Sequence, residues 1–221
     1  MSVAAQPPFG AIFDWDGVII DSGQLHAQSW RRLAAELGKE IAPDSFIRGF
    51  GMKSAQIIAE IHGWATDPAE IARLENRKEA LYREIVGGSA IAPLPGVVEW
   101  LERLRAAGVP CAIASSTHRL NIDAVLDRIG LKDAFLQIIS AEDVKHGKPN
   151  PEVFLKAAER LGIGAERCVV FEDAHVGIEA AHAAGMKVVA VATTHPVEQL
   201  QAADLVVRRL DELTVEQAER L

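Results

Sequence analysis

Five short apolar runs recur along this chain with amphipathic stretches between them, and that alternation constrains the fold more than any other feature. The runs are Ala11-Ile12-Phe13-Asp14-Trp15, Cys111-Ala-Ile-Ala114, Gln137-Ile-Ile-Ser140, Cys168-Val-Val-Phe171 and Val188-Val-Ala-Val191. Continuous apolar runs of this length suit strands covered on both faces. Val97 to Ala107, Leu120 to Ile129, Pro151 to Leu161 and Val176 to Ala184 have helical spacing and are each followed by glycine, the residue expected at a left-handed helix end. The repeated strand, helix, glycine order predicts an α/β core built on a doubly wound parallel sheet with right-handed crossovers.

The stretch 22–91 breaks this rhythm. It holds no comparable strand, and apolar residues fall at helical spacing in Leu25, Trp30, Leu33, Leu37 and in Ile71, Leu74, Leu81, Ile85. An α-helical domain at 22–91, inserted into a core made of 1–21 and 92–221, is therefore expected. Asp21-Ser22-Gly23 and the turn-rich Ala92-Pro93-Leu94-Pro95-Gly96 are the hinge candidates.

A net charge of −8 argues against long-range attraction to nucleic acid or to an anionic membrane surface. The opening residues, Met1 to Pro8, lack a secretory pattern, and no apolar run approaches a membrane span, so a cytoplasmic protein is expected. Cys111 and Cys168 each open an apolar run and read as buried free thiols. An anionic substrate would then need positive charge supplied locally, by a bound cation or by a few placed basic residues.

In an open α/β sheet, ligands bind outside the carboxyl ends of the strands. Four runs end abruptly in polar residues: Asp14 and Asp16, then Ser115-Ser116-Thr117, then Glu142-Asp143, then Glu172-Asp173. Any one of these groups could simply cap a helix. Together they would crowd carboxylates at one rim, where repulsion calls for a cation. Oxygen donors without a histidine or cysteine cluster select a hard ion, and Mg²⁺ commonly takes one or two carboxylates plus phosphate oxygens and water. Lys148, stiffened by Pro149 and Pro151, is a candidate phosphate-binding ammonium.

Assembled in this order, the motifs resemble those of the haloacid dehalogenase superfamily, in the subgroup of β-phosphoglucomutase and sugar-phosphate phosphatases. Phe13-Asp14-Trp15-Asp16-Gly17-Val18 is similar to the first family motif, Ser115 to the second, Lys148-Pro149 to the third, and Glu172-Asp173 with Gly177 to the fourth. The resemblance implies a Rossmann-like core with a helical cap. It also implies Asp14 as nucleophile forming an aspartyl phosphate and Asp16 as general acid/base. Mg²⁺ would be held by Asp14, the Asp16 backbone carbonyl and Asp173, with Glu172 close by, while Ser115, Ser116, Thr117 and Lys148 bind the phosphoryl group. Trp15 and Ala174 depart from the residues commoner at their positions.

His26 and Trp30 lie one turn apart and resemble cap residues of β-phosphoglucomutase relatives; a pocket role and a place in the cap core are equally open. Arg48 and Lys53 could reach a second anionic group, against the alternative that they are solvated charges. The expected activity is Mg²⁺-dependent hydrolysis of a small phosphorylated metabolite by a monomer or weak dimer. A phosphosugar mutase is the alternative, because the segment around Gly49 does not reproduce the arginine placement a mutase implies. Asp16 argues against a dehalogenase, and the length and helical insert argue against a phosphorylated switch.

Overall fold

The computed structural model describes residues 7–221, so the reading of Met1 to Gln6 lies outside the described residues. Six parallel strands form one sheet: β1 (Gly10–Phe13), β2 (Cys111–Ala114), β3 (Gln137–Ile139), β4 (Cys168–Glu172), β5 (Lys187–Val191) and β6 (Leu205–Val207). Their order is β3-β2-β1-β4-β5-β6, so the order reverses at β1. β6 is absent from the sequence reading.

The pleat explains how so short a strand as β1 serves two layers. Ala11 and Phe13 enter one apolar cluster and Ile12 the other, each on its own face of the sheet. One layer comes from Trp100, Leu101 and Leu104 of the helix Val97–Ala106, and from Ile122, Val125 and Leu126 of Arg119–Ile129. The other comes from Val153, Phe154 and Ala157 of Glu152–Leu161, and from Ile178 and Ala181 of His175–Ala183. The doubly wound α/β expectation thus holds.

Between β1 and Val97 lie helices without a strand. These are α1 (Gly23–Leu37), α2 (Ser45–Arg48), α3 (Ser54–Gln56, running into a π turn at Ile57–Ile61) and α4 (Pro68–Gly87); α1, the π turn and α4 share a third apolar cluster around Trp30, Leu33, Ile58, Leu74 and Leu81. α4 starts where its sequence says it should: the Asp67 side chain accepts from Glu70 N at 2.9 Å and Pro68 occupies the first turn. The chain leaves and re-enters the core through adjacent segments, with Leu94 N donating to Ile19 O at 2.8 Å. Among the described residues no helix is long and apolar enough to cross a membrane. Both cysteines are free and buried.

Phe13 is fully buried, stacked on Phe171 at 4.5 Å and edge-on to Phe135 at 5.9 Å. Replacing it with alanine should lower the unfolding free energy by about 3–5 kcal/mol, measured as a shifted denaturant midpoint with an unchanged slope.

Candidate active site

Register delivers the acidic cluster. Phe13 pairs with Phe171, so Asp14 leaves β1 beside Glu172, the last residue of β4, with Asp173 following. Asp14 N is tied to Phe171 O at 2.9 Å. The carboxylates of Asp14, Glu172 and Asp173 lie within 4.8 Å of one another, all buried. Lys148 reaches between them from the loop before Glu152, its Nζ 2.9 Å from Asp14 Oδ1 and 2.6 Å from Glu172 Oε1.

One lysine does not balance three carboxylates. Burial, reinforced by the charges of Glu172 and Asp16, pushes the Asp14 carboxyl up to about 7 despite the opposing pull of Lys148. Asp173 is pushed up as well, by burial first and then by Glu172 and Asp14. Glu172 has no spare acceptor on the same footing: its Oε2 takes Asp173 N at 2.7 Å and Ala174 N at 2.8 Å, and Oε1 takes Lys148. Asp173 Oδ2 accepts from Thr194, whereas its Oδ1 is buried with no hydrogen-bond partner. An orphaned carboxylate oxygen in an all-oxygen, net-negative cluster fits a hard divalent cation such as Mg²⁺.

Asp16 sits in a different field. Its carboxylate accepts from the hydroxyls of Ser22 and Thr117 and faces His26 Nε2 at 3.3 Å. Burial alone would raise its pKa, but His26, Ser22 and Thr117 together draw it down to about 2. His26 Nδ1 lies 2.9 Å from Lys78 Nζ, which has only protons to offer, so Nδ1 accepts and Nε2 carries the proton toward Asp16. Lys78 continues to Glu79 Oε1 at 3.0 Å; Glu79 also accepts from Ser54 at 2.6 Å and from Asn121 Nδ2 at 2.6 Å. This chain runs from the core aspartate through α1 and α4 back to the helix α6 (Arg119–Ile129; α5 is Val97–Ala106).

A cavity of about 370 Å³ opens between the sheet edge and the helices, lined by Asp14, Asp16, Ser115, Ser116 and Thr117 on one side and by His26, Trp30, Lys78 and Glu79 on the other. Ser115 is buried and accepts from Thr117 N at 3.1 Å, while Ser116 donates to Gly51 O at 2.8 Å. Arg48 and Lys53 do not line it. Arg48 is exposed and paired with Asp44 at 3.0 Å, and Lys53 donates to Val144 O at 3.0 Å.

The strand-end rule also overreaches at β3. Asp143 accepts from Ser140 N and Oγ and pairs with Arg160 at 2.7 Å, while Glu142 accepts from Arg119 N, so both serve as local caps. Conversely, the sequence reading did not single out Thr193 and Thr194, which follow β5 at the same rim and donate to Gly17 O and to Asp173 Oδ2. Lys78 and Glu79 carried a different signal, as charges among the apolar positions Leu74, Leu81 and Tyr82 of α4.

A sequence model for haloacid dehalogenase-like hydrolases matches residues 10–185. The chain is 42% identical over 208 residues to the chloroplastic 5-amino-6-(5-phospho-D-ribitylamino)uracil phosphatase of Arabidopsis thaliana, covering 93% of this chain but 56% of that protein's length. It is 35% identical to the fructose-1-phosphate phosphatase YqaB of Escherichia coli, covering 82% and 95% of the two chains. The crystal structure of a β-phosphoglucomutase from Clostridium difficile superposes with a TM-score of 0.84 at 28% identity, covering 96% and 95%.

A side chain at Gly177 would place its Cβ 1.8 Å from Glu172 Oε1, the oxygen to which Lys148 Nζ donates. Gly177→Ala should therefore displace the Glu172 carboxylate and lower kcat at least about tenfold, a barrier rise of about 1.4 kcal/mol. Steady-state kinetics beside a circular-dichroism melt check that the loss is catalytic.

Proposed function

The chain belongs to the haloacid dehalogenase-like hydrolases, and from that premise we propose that it is a Mg²⁺-dependent phosphatase of a small phosphorylated metabolite, with a sugar or polyol phosphate as the favoured substrate. The observation that supports this reading is the buried cluster of Asp14, Glu172, Asp173 and Lys148, set two residues from Asp16 on the wall of one cavity.

Asp14, oriented by Lys148, is the proposed nucleophile: its free carboxylate oxygen attacks phosphorus as the ester oxygen departs, leaving an aspartyl phosphate. Asp16 is the proposed acid that protonates that oxygen and then the base that activates water. Its three donors favour the carboxylate, so the acid form requires those contacts to change as the ester enters. Ser115, Ser116, Thr117 and Lys148 are the proposed phosphoryl ligands. Asp14, Asp173 and the Asp16 carbonyl, with Glu172 behind them, would hold Mg²⁺, which supplies charge neutralisation for the phosphoryl oxygens.

The relatives bear on the substrate class: the Arabidopsis and Escherichia coli proteins are both phosphatases of phosphorylated carbon chains by name. Residues 22–91 are proposed as a cap domain, supported by their separate apolar cluster. A mutase is the second reading, favoured by exposed Arg31 at the cavity, which could take a second anion. Against it, neither Arg48 nor Lys53 is directed there. A cytoplasmic location and a monomer or weak dimer rest on the sequence reading alone.

Multiple-turnover phosphate release from fructose 1-phosphate and ribitol 5-phosphate tests the proposal. Mg²⁺ should be required, EDTA should abolish turnover, and readded Mg²⁺ should restore it. Asp14→Asn should remove activity, and Asp16→Asn should slow it by about 10²–10⁴-fold. Full activity in Asp14→Asn would remove the nucleophile from this scheme. Conversion of β-glucose 1-phosphate to glucose 6-phosphate with a bisphosphate activator would select the mutase.

A further inference from the structure

α4 lies along α6 in a polar seam that joins residues 22–91 to the core. Arg83 Nη1 donates to Asn121 Oδ1 at 2.9 Å and Asn121 Nδ2 to Glu79 Oε2 at 2.6 Å, while Arg128 donates to Val86 O at 2.5 Å and to Ser89 O at 2.9 Å. At the end of this seam stands His118, the residue before α6. It directly follows Thr117, which lines the cavity and donates to Asp16.

The His118 ring is held between carboxylates of two different layers. Its Nε2 lies 3.1 Å from Glu75 Oε1 on α4, and its Nδ1 lies 3.2 Å from Glu142 Oε1 in the turn after β3. A neutral imidazole carries one N–H and must turn a lone pair toward one of these carboxylates, whereas the imidazolium donates to both. Burial opposes that charge, yet Glu75, Glu79 and Glu142 together hold the ring above the ordinary histidine range. The neighbouring cations are committed elsewhere: Lys78 to Glu79, Arg83 to Asn121 and Arg119 to Asp123. The remaining amide, carboxylate and guanidinium groups of the seam keep their charge through neutral pH, so His118 is the member that titrates there.

We propose that His118 is a positioning residue whose imidazolium clasps the cap to the core through Glu75 and Glu142, favouring the closed cavity, and whose loss of a proton loosens that closure. The inference rests on the phosphatase reading and on residues 22–91 acting as a cap, and adds to them a proton-controlled closure. His118 acts through Glu75, which helps hold α4 in place; Lys78 on the same helix faces His26, and His26 faces Asp16. A proton bound more tightly in the docked state stabilises docking fully below the ordinary histidine value, and that contribution is lost as pH rises through the higher docked value. Apparent affinity falls with the closed fraction, so KM rises, while saturating substrate keeps the cap closed and preserves kcat.

KM and kcat for fructose 1-phosphate with Mg²⁺, followed from about pH 6 to about pH 9, test the clasp in the wild type, in His118→Arg, whose charge persists over that range, and in His118→Gln, which carries none. The ratio of wild-type KM to His118→Arg KM should rise roughly fivefold with pH, with the kcat ratio flat; ionisation of the substrate and of other histidines cancels in both ratios. His118→Gln and Glu75→Gln should show the raised KM already at the acidic end. Amide hydrogen exchange of residues 70–90 reads docking without turnover: wild-type protection, compared with His118→Arg at each pH, should fall toward the His118→Gln level as pH rises. A KM ratio that stays constant with pH would overturn the clasp and leave the phosphatase intact. Protection that falls with pH in a protein hydrolysing neither fructose 1-phosphate nor ribitol 5-phosphate would keep the clasp and overturn the phosphatase reading.

Discussion

Lys148 holds two carboxylates that would otherwise repel each other inside the protein, and the site depends on that contact. The parallel register of β1 and β4 forces Asp14 and Glu172 together, so the sheet itself creates the electrostatic strain. Removing charges from water is costly, and attraction within a pair offsets the cost only when geometry and remaining hydrogen bonds are good. Here Glu172 meets that condition, with both oxygens bonded, and Asp14 keeps one oxygen outside the lysine contact. Close approach is what permits it. Gly177 leaves room for the Glu172 carboxylate, and Gly17, at φ 79°, leaves room for that of Asp173, where any Cβ would lie 1.8 Å from Oδ2.

Two residues further on, the same loop builds the opposite environment. Asp14 is surrounded by acids and is drawn toward its neutral form, while Asp16 is surrounded by donors and is drawn toward its anion. A cation at the acidic cluster would draw Asp14 back toward its anion, whereas Asp16 could act as an acid only once its donors are displaced. The donors to Asp16 come from separate elements: Ser22 precedes α1, His26 lies within it, and Thr117 follows β2. Through Lys78, Glu79 and Asn121 the helices and the core are joined in one buried hydrogen-bonded chain. A shift of the helices therefore cannot leave Asp16 unaffected.

The legibility of these features follows from where each is encoded. Asp14, Ser115, Lys148, Glu172 and Asp173 sit at or near strand ends or in a proline-stiffened loop, and parallel topology alone brings such positions to one edge. The buried thiols and helical insert follow from local pattern too. Thr194 was open to the same logic, while Asp143 obeyed the rule and proved to be a cap, because a carboxylate at a strand end satisfies backbone donors equally well in either role. Lys78 and Glu79 were harder: they pair with each other on α4, but their further partners, His26, Ser54 and Asn121, lie on other helices, and packing decides which they are. Arg48 and Lys53 show the reverse, charges near the site in sequence whose side chains find Asp44 and Val144 instead.

The same distinction separates reaction from selectivity. Groups at the reacting end are fixed by hydrogen-bonded register, which tolerates little displacement, whereas Phe46, Phe50 and Met52 hang from short helical turns and a loop. Their side chains are apolar, and the Ser116 hydroxyl links the two regions by donating to Gly51 O. A change of side chain at Phe50 or Met52 can thus reshape the cavity wall without moving Lys148 away from Asp14. One acidic constellation can in this way serve different alcohols, so residues that identify the reaction in a sequence say little about what the reaction releases.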